Sequence, residues 1–167
     1  VTWRSDLYAD AGSTALSSSP WNAAFSPAGD RLVLVGQFDG KAKLYSVGQT
    51  VAYTADLPYD PEEGTAVYIY PNRVLFFPNG EALLLGGNAV CNKANIYAVG
   101  DGGITYVTNV KKTELDVGFN ASVRAAAFSP DGRILVLGGA FYGKASLYAV
   151  KGTAVTWKSA LRSGRWN

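Results

Sequence analysis

The chain has 167 residues, 48% of them apolar and 17% charged, which excludes a disordered polyanion or polycation and fits one globular unit. A formal net charge of +2, with no run of like charges longer than a pair such as Lys111-Lys112, argues against a nucleic-acid-binding face. The longest apolar runs, such as Ile134 to Leu137, are too short to span a bilayer, and the single cysteine, Cys91, excludes an intrachain disulfide.

The chain opens on "VTWRSDL" from Val1, a short strand-like run, and then a linker rich in Ser and Ala. From Asn22 comes "NAAFSPAGDRLVLVGQFDGKAKLYSV", in which two apolar runs flank a Pro- and Gly-containing turn. Proline suits the second turn position because its φ is already set, and glycine accepts the positive φ that follows, so the flanking runs are expected to pair antiparallel. A third run ends in Leu44-Tyr45, and after another turn "VAYTADL" from Val51 supplies a fourth.

The same four-part unit returns twice. Phe25, Phe76 and Phe128 coincide, as do Pro27, Pro78 and Pro130, and Gly29, Gly80 and Gly132. The period is about fifty residues, the kind of spacing that marks a repeat architecture. Second strands such as "RILVLGG" are continuously apolar, which predicts burial on both faces, whereas "KASLYAV" alternates and predicts one less enclosed face. The paired glycines Gly86-Gly87 and Gly138-Gly139 read as strand ends beside closely approaching backbone. Trp3 and Trp157 fall at equivalent strand positions, which favours packing.

Four short antiparallel strands per unit at this period predict an all-β chain, a β-propeller of about three four-stranded blades. "FSPDG" at Phe128 to Gly132, "FSPAG" at Phe25 to Gly29 and the looser "FFPNG" at Phe76 to Gly80 carry a resemblance to the WD40-like repeat. Where that family ends its third strand in Trp-Asp, this chain has Tyr45-Ser46, Tyr97-Ala98 and Tyr148-Ala149, so it resembles a divergent member, similar to bacterial and bacteriophage propellers. The family's Asp-His-Ser-Trp network is not carried over.

The expected division is a single propeller segment over 1–167: an outer strand and linker of a preceding blade (1–21), blades at 22–57, 73–110 and 125–161, and the start of a further blade (162–167). "SGRWN" at the end echoes "SSPWN" at Ser18 to Asn22. Three blades are fewer than the typical four to eight, so the expectation is a piece of a larger ring, completed by further blades or protein partners.

Chemistry is sparse. With no histidine, a Ser-His-Asp triad, a Cys-His pair and histidine metal ligands are excluded within the chain. Cys91 reads as a loop thiol. Asp60, Glu62 and Glu63 in "YDPEEGTA" are a weak metal candidate whose spacing does not match an EF-hand and which reads as a solvated turn. No cofactor is expected. The connections between units are long, variable and aromatic, and Trp21, Tyr59, Tyr68, Tyr70, Phe119, Phe141 and Tyr142 are the candidate binding residues, suited to protein or carbohydrate contacts. The resulting expectation is not an enzyme: a non-catalytic binding or structural scaffold, soluble, in a phage tail, virion or extracellular setting. The alternatives are a lectin-like carbohydrate-binding module or the non-catalytic part of a larger propeller enzyme.

Overall fold

The computed structural model describes residues 19–36, 42–57, 71–87, 94–100, 103–110, 122–139 and 145–161. The first sheet contains β1 (Pro20–Phe25), β2 (Arg31–Gly36), β3 (Lys43–Val47) and β4 (Val51–Asp56). The second contains β5 (Pro71–Phe76), β6 (Ala82–Gly87), β7 (Ala94–Gly100) and β8 (Gly103–Asn109), and the third β9 (Val123–Phe128), β10 (Ile134–Gly139), β11 (Ala145–Lys151) and β12 (Ala154–Leu161). Each is antiparallel, with its strands in chain order. The chain is therefore all-β, and its three four-stranded sheets are blades of a partial propeller. The opening strand from Val1 and the terminal "SGRWN" lie outside the described residues.

The turn chemistry sets the register. Gly29, Gly80 and Gly132 take φ of +76°, +77° and +70°, where an L side chain is strained. In the first and third blades a serine completes the turn: its Oγ accepts the N–H of Arg31 or Ile134 at 3.0 Å and donates to the carboxylate of Asp30 or Asp131. The Ser129 hydroxyl, seconded by the Arg133 amide, holds the Asp131 carboxyl below the usual carboxylate range. With the turns fixed, Phe25, Phe76 and Phe128 pair with Leu32, Leu83 and Leu135 at one common offset.

Packing between blades repeats as well. Val33, Val35 and Leu44 of the first blade enclose a core with Phe76, Leu83, Leu85 and Tyr97 of the second. Phe77, Leu84 and Ile96 of the second do the same with Val123, Leu135, Leu137 and Tyr148 of the third. Each fully buried aliphatic side chain contributes about 1.5–3 kcal/mol, so these two cores hold the blades together without a disulfide. Phe77 and Phe128 meet across the second interface at 4.7 Å between ring centroids. The turns stack in step: a Cβ on Gly80 would lie 3.6 Å from Pro27 Cδ, and one on Gly132 would lie 3.1 Å from Pro78 Cγ.

The middle strand of the middle blade is buried throughout, as its apolar run predicts, but β10 is only partly so. Ile134 is 47% exposed where the equivalent Ala82 is fully buried, and Phe25 is 59% exposed where Phe76 is 7% exposed. Both belong to faces that have no adjoining blade among the described residues. Among those residues no helix is long and apolar enough to cross a membrane, and no three metal-binding side chains cluster.

Candidate functional site

The sheets converge along their first strands, with β1 against β5 and β5 against β9, and this seam is the inner side of the blades. Each first strand carries a β-bulge at its entry. Pro20 pairs with Gly36 and Asn22 with Val35, skipping Trp21; the same shift skips Asn72 in β5 and Arg124 in β9. A bulge inserts one residue, breaks the ladder locally and re-aims side chains, a device common beside binding sites. It also explains the repeated glycine at the end of the second strand: a Cβ on Gly36 would collide with the Ser19 carbonyl oxygen and come within 2.8 Å of Pro20 Cα.

Just beyond the bulge, Asn22, Arg73 and Ala125 occupy equivalent positions. The Arg73 Nε–H donates to the Arg124 carbonyl of the next blade at 2.6 Å. The Asn22 Oδ1 accepts the Val74 N–H at a longer 3.5 Å, so the two equivalent side chains each reach one blade onward. Between them lies a cavity of about 380 Å³, lined by Asn22, Arg73, Val74 and Leu75 and by the small Ala23, Ala24, Ala125 and Ala126. Its polar side chains are one guanidinium and one carboxamide. Arginine offers five donors and stays charged, so this wall suits an anionic or oxygen-rich small molecule. The described lining includes no carboxylate.

A second polar feature sits at the same end of the first blade, because β3 starts and β4 finishes where β1 begins. Lys43 Nζ lies 2.7 Å from Asp56 Oδ1, with the lysine side chain 5% exposed, and the Tyr53 hydroxyl donates to the same oxygen at 3.0 Å. The equivalent cross-strand pairs are Asn95 with Asn109 and Ser146 with Ala160, so the charge is peculiar to the first blade. A smaller cavity of about 200 Å³ at the opposite end, between the turns of the second and third blades, is lined by Asn79, Asp131 and Arg133. Its carboxylate is already engaged by Ser129 and the Arg133 amide.

Of the aromatics singled out in the sequence, Trp21 is the bulged residue of β1, 44% exposed and next in the chain to Asn22, but it is not among the residues that line the cavity. Tyr59, Tyr68, Tyr70, Phe119, Phe141 and Tyr142 lie outside the described residues, as do Cys91 and the weak metal candidates Asp60, Glu62 and Glu63. Trp157 packs against the core between the second and third blades. Sequence reasoning missed Arg73 and Asn22. The signal was a polar residue, Asn22 or Arg73, three places before the recurring phenylalanine, where the third unit has Ala125.

No protein-family model and no curated protein matches the chain. Solved structures do. A candidate 6-phosphogluconolactonase from Bacteroides uniformis superposes with a TM-score of 0.71 at 17% identity, over 90% of this chain and 42% of its own. The periplasmic gluconolactonase of Pseudomonas aeruginosa gives 0.71 at 17%, over 88% and 40%. The β-propeller domain of Swd1 from Myceliophteria thermophila gives 0.68 at 12%, over 90% and 47%. The chain thus spans less than half the length of these propellers, and the likeness is one of fold.

These neighbours correct two expectations. The reading as a non-catalytic scaffold or lectin-like module, and as not an enzyme, is overturned by the recurrence of lactonases among the similar propellers. The error was physical: a missing histidine removes one kind of catalytic triad, but it does not remove hydrolysis by an electrostatically arranged cavity. The virion setting and the bacteriophage similarity are likewise unsupported, whereas the divergent WD40-like propeller fold is supported by the Swd1 domain.

Proposed function

We propose that this chain is a segment of a propeller hydrolase that opens the lactone of a sugar acid, and that the cavity between β1, β5 and β9 holds the substrate. The observation that carries the reading is Arg73 at the convergence of three bulged first strands, in a fold shared with a candidate 6-phosphogluconolactonase. A volume of about 380 Å³ falls in the range of small-molecule pockets. In the reaction water adds to the lactone carbonyl carbon, the bond from that carbon to the ring oxygen breaks, and the proton lost by the water ends on the freed hydroxyl. The product is an open hydroxy acid. Asn22 positions the lactone ring, and the base that activates water is assigned to a group outside this wall.

The blades are read as 22–57, 73–110 and 125–161 of one propeller segment, with further blades or protein partners completing the ring. Trp21, one residue before the lining Asn22, is read as an aromatic contact for the sugar. The connections that carry Tyr59, Tyr68, Tyr70, Phe119, Phe141 and Tyr142 leave and rejoin the described strands at the end of the sheets where Trp21 lies, which supports a role for those aromatics in substrate contact. The test is lactone hydrolysis by the full-length protein, followed as acid release from gluconolactone and from 6-phosphogluconolactone. Hydrolysis above the spontaneous rate, weakened by Asn22→Ala, is expected; a rate equal to the spontaneous one for both substrates would overturn the reading.

A further inference from the structure

We infer that Arg73 is the specificity-determining residue of this cavity and that it holds a phosphomonoester group already present on the bound molecule, not the oxyanion that forms during hydrolysis. The inference rests on the reading of the cavity as a lactone site and deepens it by naming the substrate class as phosphorylated.

Three observations carry it. First, the guanidinium is anchored. The bulge in β9 frees the Arg124 carbonyl from the strand ladder, and that carbonyl takes the Arg73 Nε–H at 2.6 Å. The two Nη groups keep their donors, and a guanidinium fixed at Nε presents them as a rigid pair suited to two oxygens of one phosphate.

Second, no carboxylate among the described lining residues faces the charge. The polar neighbour, Asn22, uses its Oδ1 toward Val74 and keeps its NH₂ as a further donor. A permanent cation in such a wall favours an anion that is present throughout binding. A neutral lactone offers no such anion before it reacts, whereas a phosphorylated one does.

Third, of the three equivalent places just beyond the bulge only the one in the second blade carries a cation, so the charge is not a requirement of the blade. Residues that build the blades recur, as Phe25, Phe76 and Phe128 do, whereas Asn22, Arg73 and Ala125 differ at equivalent places. Ala125 leaves open the space that a third long side chain would fill beside Arg73.

The experiment compares a charged and a neutral lactone in the full-length protein and in its Arg73→Gln and Arg73→Lys variants, together with calorimetric binding of 6-phosphogluconate. Arg73→Gln is expected to raise KM for 6-phosphogluconolactone about 10- to 100-fold, the loss of one charge-assisted contact, with kcat little changed. KM for neutral gluconolactone stays within about twofold, and Arg73→Lys recovers part of the loss. 6-Phosphogluconate binding by the wild type weakens with added salt and falls by the same factor in Arg73→Gln. Equal damage to both lactones, or a fall in kcat alone, overturns this inference while leaving lactone hydrolysis standing. Salt-sensitive, Arg73-dependent binding without hydrolysis of either lactone sinks the proposed reaction and leaves the anion site. If Arg73→Gln does not fold, salt-insensitive binding by the wild type is sufficient to reject the assignment.

Discussion

Val123 of the third blade occupies the space that a side chain on Gly86 of the second would need: a Cβ there would lie 2.5 Å from Val123 Cβ and 2.8 Å from Cγ1. The paired glycine is thus a contact between blades, and the contact borders the cavity between the first strands, because Gly86 pairs with Arg73.

Gly86→Ala is expected to cost about 1–3 kcal/mol, the usual range for overpacking a tight site. Urea unfolding measures it, and adding Val123→Ala should recover most of the loss, since the two side chains compete for one volume. Gly100→Ala, where a Cβ meets nothing within 4 Å among the described residues, is the near-neutral control. A double variant no more stable than Gly86→Ala would show that the clash is not the cause.

The sheets were legible in the sequence because their determinants are local. A proline two residues and a glycine four residues after a phenylalanine define each turn, and the turn defines the register of Phe25 with Leu32 and its two counterparts. The double glycines were legible as strand ends, but what approaches Gly86 is the Val123 side chain and not backbone. The site was not legible. Trp21 was visible as an aromatic, but its position in a bulge depends on which residues of β1 and β2 pair, and no composition signal reports that. Arg73 looked like one more polar residue at the start of a strand. Its importance comes from the carbonyl of Arg124, fifty-one residues away in the chain.

The Lys43–Asp56 pair is expected to matter more than a surface ion pair, because the lysine is buried and the carboxylate is three-quarters covered. Lys43→Met should cost about 1–3 kcal/mol, somewhat below the loss seen when a fully buried pair is broken. Lys43→Asn with Asp56→Asn installs the residues that the second blade carries at the same positions, and should restore most of the stability. Thermal unfolding of the three proteins decides it; a double variant as damaged as the single one would mean that the charge itself is required.

Burial raises the Tyr148 hydroxyl to about 12, with the Ser146 hydroxyl offsetting part of the effect, and burial likewise raises Tyr45 to about 12. The folded pKa lies above the unfolded value of about 10, so the unfolded chain gives up these protons first. The stabilisation they provide is complete below pH 10 and is lost as the pH rises toward 12. Denaturant midpoints measured from pH 8 to 12 should therefore fall above pH 10, and fall less steeply in Tyr148→Phe. A midpoint independent of pH over that range would contradict the burial of these hydroxyls.

The strict chain order of strands within each sheet bears on how the molecule is made. Within a sheet each strand pairs with the next one to leave the ribosome, so the first sheet can close once Asp56 has emerged, without waiting for the far end of the chain. The interblade contacts come later, when Phe76 and then Phe128 arrive to be covered. Synthesis thus lays down finished sheets one at a time, and among the described residues Phe25 and Ile134 are apolar side chains left exposed on the two outward faces. While they stay uncovered they are the surfaces a holding chaperone would recognise.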